Sequence, residues 1–477
     1  MRFMDKVEKM ENKHAHIQLA INFADLIRTT LGPRGMNKVV VSKGNALHTN
    51  DGASIIKNVE AKDPIIDLFK ELAISQEEQI GDGTTTAAIL AGQFLNNALQ
   101  LINKGIHPTT IINGYNLAKV ETMKFLENIA EKGDKNKIIK TTFGNKISKD
   151  QIDHLSKLIL EIKDFENLKI HKKVGDTLNS KIYNGFVFEG FTINDQMENE
   201  INGNICLLDY RTNVEAAHFN VTSSEELKKI NLYDREYKRD IVNKLVEKNI
   251  NCLLYTDTNP EFEAMLLEKG ITGIVVYQRK DFISGIATAL GILPTSDPNN
   301  IHVKKGKIKY EKPNQIYIDG NVETLILEGP TKQTLDEIER SVNDVLSLLK
   351  HEIDCVIGAG AVEIEIANHL LNIAKKLGGK EQLAIEKYAE AIESIPLILA
   401  ENSGLDSMAV LTNLKTRHLN GEKDLGVDMY LGVSDARERG IVDPVLVKIH
   451  AINSATNVAN LILKTDKILV GENDNSN

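Results

Sequence analysis

The strongest constraint on this chain is a change of hydrophobic period along it, helical at both ends and strand-like in the middle. Over 14–31 apolar residues recur at helical spacing (Ile17, Ala20, Ile21, Ala24, Ile27, Leu31) until Gly32-Pro33 stops the pattern. Two short strand-like pieces, 38–42 and 46–49, close on Asn50-Asp51-Gly52, and long helical patterns fill 65–80 and 85–104. His107-Pro108 opens another helix, since a proline in the first turn lacks only an N–H that would be unpaired there anyway. Residues 132–185 are lysine-rich, polar and weakly periodic, which reads as a connecting module. From 186 to about 321 the pattern alternates: NICLLDY, NCLLYTD, GITGIVVYQ and NQIYIDG read as buried strands with helices between them. A strand-like ETLILEG then leads into a helix over 334–349, and helices dominate from 356 onward. Two similar ends around a different middle predict a discontinuous, mostly helical domain interrupted by an α/β insertion, a multidomain α+β protein.

At 477 residues the chain has room for about three domains. Its 57 basic and 67 acidic side chains give a net charge of −10, so no global basic field exists to hold a nucleic-acid backbone. No apolar run approaches the ~18 residues of a membrane span, and neither a nucleic-acid nor a membrane partner is expected. Cys206, Cys252 and Cys355 are far apart and outside any CxxC, which argues against a disulfide framework or a zinc site. The charged opening MRFMDKVEKMENKHAH has no apolar segment of a secretory signal, so the expected location is cytoplasmic.

Chemistry concentrates in three turns. Gly81-Asp82-Gly83-Thr84-Thr85-Thr86 lies between two helical patterns and opens the second. A glycine-flanked turn there exposes backbone N–H groups at the positive end of the helix dipole, where phosphate binds well, and Asp82 is a hard oxygen ligand suited to Mg²⁺. A plain capped helix start is the competing reading, because Asp, Gly and Thr all cap well. Leu31-Gly32-Pro33-Arg34-Gly35 and Thr49-Asn50-Asp51-Gly52-Ala53 are each ordinary turns alone, but with GDGTTT they form a specific set between residues 31 and 86. Other nucleotide chemistries fit less well. Gly358-Ala359-Gly360 follows a strand-like DCVI, yet Glu363 stands where a dinucleotide fingerprint needs its third glycine. No GxxxxGK[ST] occurs, and HEIDC lacks the second histidine of HExxH.

With these turns in place the sequence resembles the chaperonins, and among them the TCP-1 family of the archaeal thermosome and the eukaryotic cytosolic ring CCT. The resemblance extends to Val470 through RTTLGPRGMNKVVV, TNDGASI, GDGTTTAAILAG, NKGIHPTTII, GAGAVEIEIA, GGKEQLAIEKYAEAIESIPLILAENSGLD and GIVDPVLVK. KGIHPTTII, LKIHKKVG and RHLNGEKDLGV look most like the CCT delta subunit. The family implies an equatorial ATPase domain from 1–130 and 358–477, a small intermediate domain from 131–185 and 324–357, and an apical domain with a helical protrusion at 186–323. It also implies a subunit of a double ring of identical or paralogous chains that encloses non-native client proteins, driven by hydrolysis of ATP with Mg²⁺. A non-hydrolysing structural ring or holdase remains the alternative, because retained motifs do not prove turnover.

By the same resemblance Gly32 approaches the nucleotide, Asp82 binds Mg²⁺, and Gly83, Thr84, Thr85 and Thr86 hold phosphate oxygens. Asn145 and Lys146 match the loop that senses the γ-phosphate, Gly360 lies against the nucleoside, and Asp443 accepts from the ribose with Lys448 nearby. Asp344, in SVNDVLSLL, matches the carboxylate that orients and deprotonates the attacking water, and Asp51 matches a second one. Arg340 and Asp344 also stand at i, i+4, the spacing of an ordinary surface ion pair worth about 0.2–0.5 kcal/mol, and a solvated lysine is the plain reading of Lys146. In the middle, Thr222-Ser223-Ser224-Glu225-Glu226 offers caps for a helix with Leu227, Ile230, Tyr233, Tyr237, Ile241 and Leu245 at mostly helical spacing, matching the built-in lid. Three departures stand out: a short N-terminus expected to lack the extra strand used in ring contacts, LILEGPT where relatives have arginine and glycines, and a short linker over 150–173.

Overall fold

The computed structural model describes residues 8–9, 13–42, 45–61, 63–144, 147–192, 200–209, 224–256, 259–276, 280–311, 314–351, 353–466 and 469–470. The chain divides into two compact units, one from 1–156 and 337–477, the other from 157–336. In the first unit α1 (Lys13–Arg28) is followed by a hairpin of Lys38–Ser42 and Asn45–Thr49. Then come α2 (Gly52–Asn58), α3 (Pro64–Gln79), α4 (Thr84–Asn103), α5 (Pro108–Ile129), α6 (Lys135–Phe143) and α7 (Lys149–Glu161). Local chemistry fixes several starts: Asp51 caps α2, Asp63 and Pro64 open α3, and His107 caps α5 ahead of Pro108.

The second unit is built on an eight-stranded mixed sheet. Glu200–Leu208, Cys252–Tyr255 and Thr272–Val275 run parallel, with α8 (Ser224–Glu247) and α9 (Pro260–Glu268) as crossovers and α10 (Lys280–Leu290) after the third. The parallel strand Cys252–Tyr255 is buried on both faces, as its uninterrupted CLLY requires. Two expected strands, NQIYIDG and ETLILEG, are one: Gln315–Gly329 runs continuously, with a register shift between Asp319 and Glu323. Its parallel partner Lys169–Val174 and the first half of its antiparallel partner Lys181–Glu189 come from the polar stretch that reads as a connector in the sequence.

The chain continues with α11 (Lys332–Leu349), α12 (Ala361–Ala374), α13 (Lys380–Ile392), α14 (Ser394–Asn402), α15 (Ser407–Leu419) and α16 (Val445–Lys464). The core of the first unit joins both chain ends, with Phe94, Tyr115 and Tyr388 in mutual ring contact and Tyr388 bonded to Thr456 Oγ1 at 2.7 Å. Asp354–Ile357 forms a small sheet with Val442–Pro444 on one side and Glu131–Lys132 on the other. Glu8–Lys9 forms a two-residue strand that pairs antiparallel with Leu469–Val470 of the same chain. All three cysteines are buried and free, and among the described residues no helix is long and apolar enough to cross a membrane.

Candidate functional site

Two helices of the first unit, α4 and α12, start on glycines in the left-handed conformation, Gly83 (φ 86°) and Gly360 (φ 83°), and neither has a side-chain cap. The helix N–H groups that follow thus lack a side-chain cap, although Gly83 N itself donates to Asp82 Oδ1 at 2.6 Å and Ala361 N to the Gly358 carbonyl at 3.1 Å; a helix start without a side-chain cap is suited to anions. The glycines are required by space as well as by conformation. A Cβ at Gly83 would lie 2.6 Å from Val447 Cγ1, and one at Gly360 would lie 2.7 Å from Pro396 Cβ.

The separated turns converge around these starts. A Cβ at Gly52 would collide with Thr85 Oγ1, so the Asp51 turn lies directly on the start of α4. A Cβ at Gly81 would approach Ser347 Cβ at 2.6 Å and the Asp344 carbonyl at 3.6 Å, which brings α11 to the same turn. Arg340 of α11 extends to within 3.5 Å of Ser54 Oγ on α2. Asp51, which holds the N–H groups of Ala53 and Ser54, Asp82 and Asp344 are all half-buried around this junction. The Gly32 turn (φ 85°) rests on Leu399 of α14, the helix whose Pro396 abuts Gly360, and Asn402 donates to the carbonyls of Arg28 and Leu31. Asn145 and Lys146 lie outside the described residues.

At the second helix start, Gly358 gives room for Asp443, whose Oδ2 would be 3.1 Å from a Cβ there. Ala359 is held at φ 56°, and its carbonyl accepts from Val427 N at 2.8 Å, tying the hairpin Leu425–Asp428/Gly432–Asp435 to this turn. Lys448 is buried, with Nζ 2.8 Å from Asp443 Oδ2 and 2.6 Å from Glu363 Oε1. Burial works against its charge, but Asp443 and Glu363 outweigh it and hold the ammonium far above the ordinary lysine range.

Sequence reasoning missed Gln76 and His450. Fully buried Gln76 gathers the whole GDG turn: its carbonyl accepts from Ile80 and Gly81, and its Nε2 donates to the Asp82 carbonyl at 2.7 Å. That donation leaves Gln76 Oε1 facing His450 Nδ1 of α16 at 2.7 Å, while His450 Nε2 lies 2.7 Å from Gln79 Oε1. Burial lowers the His450 pKa. The only sequence signal was a polar residue on an otherwise apolar helix face, which alone says nothing about its partner.

The donor set fits a nucleotide-borne cation. No group of three His, Cys, Asp or Glu side chains forms a metal cage among the described residues, whereas one carboxylate, Asp82, stands at an open helix start. A single carboxylate beside anion-binding N–H groups is what Mg²⁺ uses when phosphates supply its other oxygens.

A family model described as the TCP-1/cpn60 chaperonin family matches residues 23–473. Thermosome subunit alpha of Archaeoglobus fulgidus is 33% identical, over 96% of this chain and 91% of the relative. A thermosome subunit of Methanopyrus kandleri is 32% identical over 95% and 91%, and thermosome subunit 1 of Haloferax volcanii 33% over 94% and 86%.

Proposed function

The chain belongs to the TCP-1/cpn60 chaperonin family, and on that premise we propose that it is an ATP-hydrolysing subunit of a group II double ring that encloses and folds non-native proteins. The observation carrying this reading is the pair of uncapped, glycine-started helices with Asp82, Asp51 and Asp344 at the first and Asp443 at the second. That division of functions suits one nucleotide, phosphates at α4 and nucleoside at α12.

In this proposal the left-handed turn at Gly83 presents the N–H groups that follow it, and these with the hydroxyls of Thr84, Thr85 and Thr86 bind phosphate oxygens, while Gly32 and Gly360 let backbone approach the nucleotide. Asp82 would hold Mg²⁺, which neutralises phosphate charge when bound. Asp344 orients the attacking water and accepts its proton, Asp51 assists, and Asn145 and Lys146 respond to the γ-phosphate. Phosphoryl transfer needs mainly positioning and charge stabilisation, so few side chains suffice. In family terms the first unit holds the equatorial domain, α8 carries the lid protrusion, and partners are clients and identical or paralogous subunits in the cytoplasm. KGIHPTTII, LKIHKKVG and RHLNGEKDLGV support a place near the delta paralogue of CCT.

Steady-state phosphate release with and without Mg²⁺ tests the reading. Mg-dependent turnover is expected; nucleotide binding with no turnover would favour the non-hydrolysing ring or holdase.

A further inference from the structure

Lys448 is the most enclosed cation of the candidate site, and its position limits what it can touch. Its side chain is 10% exposed and its Nζ is shared by two carboxylates, Glu363 Oε1 at 2.6 Å and Asp443 Oδ2 at 2.8 Å. An ammonium has three donors and no acceptor. With two of them bound to carboxylates in a buried setting, its charge is already compensated and is a poor anchor for a phosphate.

The two carboxylates differ. The Glu363 side chain is 3% exposed, and its Oε2 is buried with no hydrogen-bond partner among the described residues, so Lys448 supplies its compensation. The Asp443 side chain is 24% exposed and its Oδ2 is fixed by Lys448, while its Oδ1 accepts no hydrogen bond among the described residues. Gly358 on one side and Lys448 on the other fix the carboxylate plane.

We propose that Lys448 and Glu363 are positioning residues for nucleoside recognition: Glu363 pins Lys448, and Lys448 locks one oxygen of Asp443 so that the other meets a ribose hydroxyl. This rests on the reading of Asp443 as the ribose acceptor. Specificity for a ribonucleotide then depends on two residues that never touch it. A hydrogen bond to an oriented carboxylate discriminates strongly, because its loss leaves a charged acceptor unpaired.

The experiment compares KM for ATP with KM for 2′-deoxyATP and 3′-deoxyATP in the purified full-length chain. The wild type should disfavour one of the deoxy analogues by about tenfold. Asp443→Ala should erase that ratio. The double variant Glu363→Met/Lys448→Met replaces the buried pair by apolar side chains of similar length, an exchange often tolerated, and should erase it too. KM for ATP rises more than kcat falls. Lys448→Arg, which keeps the charge, should retain most of the ratio. A folded double variant with the wild-type ratio would overturn the positioning role while leaving Asp443 as ribose acceptor. An unchanged ratio in Asp443→Ala would instead remove the ribose reading, and the inference with it. Should the double variant not fold, Lys448→Gln serves: it should lose most of the ratio, and full retention would overturn the inference.

Discussion

At the residue scale the site separates groups expected to act on the bound nucleotide from a group expected to act on water. Asp82 stands at the uncapped start of α4, so Asp82→Asn should weaken Mg-nucleotide binding by about tenfold or more, since it removes the anionic ligand of the cation. Titration with Mg-ATP checks this, and unchanged affinity and turnover would reduce GDGTTT to a helix start. Asp344 lies on a different helix that only borders the turn. Asp344→Ala should therefore leave affinity nearly intact and slow single-turnover hydrolysis by about 10²–10⁴-fold. Equal loss in both would return Asp344 to an ordinary helix-surface role. GDGTTT was legible in the sequence because turn chemistry is local. Gln76, Glu363 and the real employment of Lys448 were not, because Gln76 of α3 meets His450 of α16, and Glu363 of α12 meets Lys448 of α16.

At the element scale, helix starts and helix roots decide what can be changed. Gly360→Ala should cost about 1–3 kcal/mol, from left-handed strain at φ 83° and from crowding against Pro396. Chemical denaturation of the variant is the check, and no loss would mean the α12 start can relax. In α8, Leu232 and Tyr233 are exposed, whereas Ile241, Val242 and Leu245 are buried in the core of the second unit. Buried Lys238 pairs with Asp234 in the same stretch. Thr222 and Ser223 lie outside the described residues. Replacing 222–233 by a Gly/Ser linker should spare ATP turnover and abolish protease protection of an enclosed client. Extending the replacement to 243 would remove Ile241 and Val242, at about 1–5 kcal/mol each, and should destabilise the second unit itself. A shortened α8 that still protects its client would make the segment a surface helix.

At the scale of the whole molecule, two units imply separable responses to pH. His171 of the second unit is buried, with Nε2 2.5 Å from Gln315 Oε1. Burial lowers its pKa, opposed by the Gln315 bond and Glu189 and reinforced by Lys173. The folded unit thus prefers neutral His171, and the unfolded chain takes up more protons below the usual value of about 6.5. The stability this residue contributes is present above about pH 6.5 and lost as pH falls through its lower folded value. Calorimetry between pH 7.5 and 5.5 should show the second unit's transition falling, with a shallower fall in His171→Gln. Equal slopes in the two proteins would remove His171 as the cause.

The sequence by itself determined the helices of both chain ends, the parallel strands and the three turns, because each is written in spacing and turn residues within a few positions. It misjudged Gln315–Gly329, where NQIYIDG and ETLILEG read as two separate strands but form one, since Lys181–Glu189 pairs along it on both sides of the register shift. It also missed the pairing of Glu8–Lys9 with Leu469–Val470, too short for any periodic signal. Only the tertiary structure decided that the Asp51 turn, the Asp82 turn and the stretch of α11 carrying Asp344 border one helix start, and that Lys448 belongs to two carboxylates. Several of these meetings join segments far apart in the chain, Gly81 with Asp344 and Glu363 with Lys448, and only the packing of the first unit brings them together.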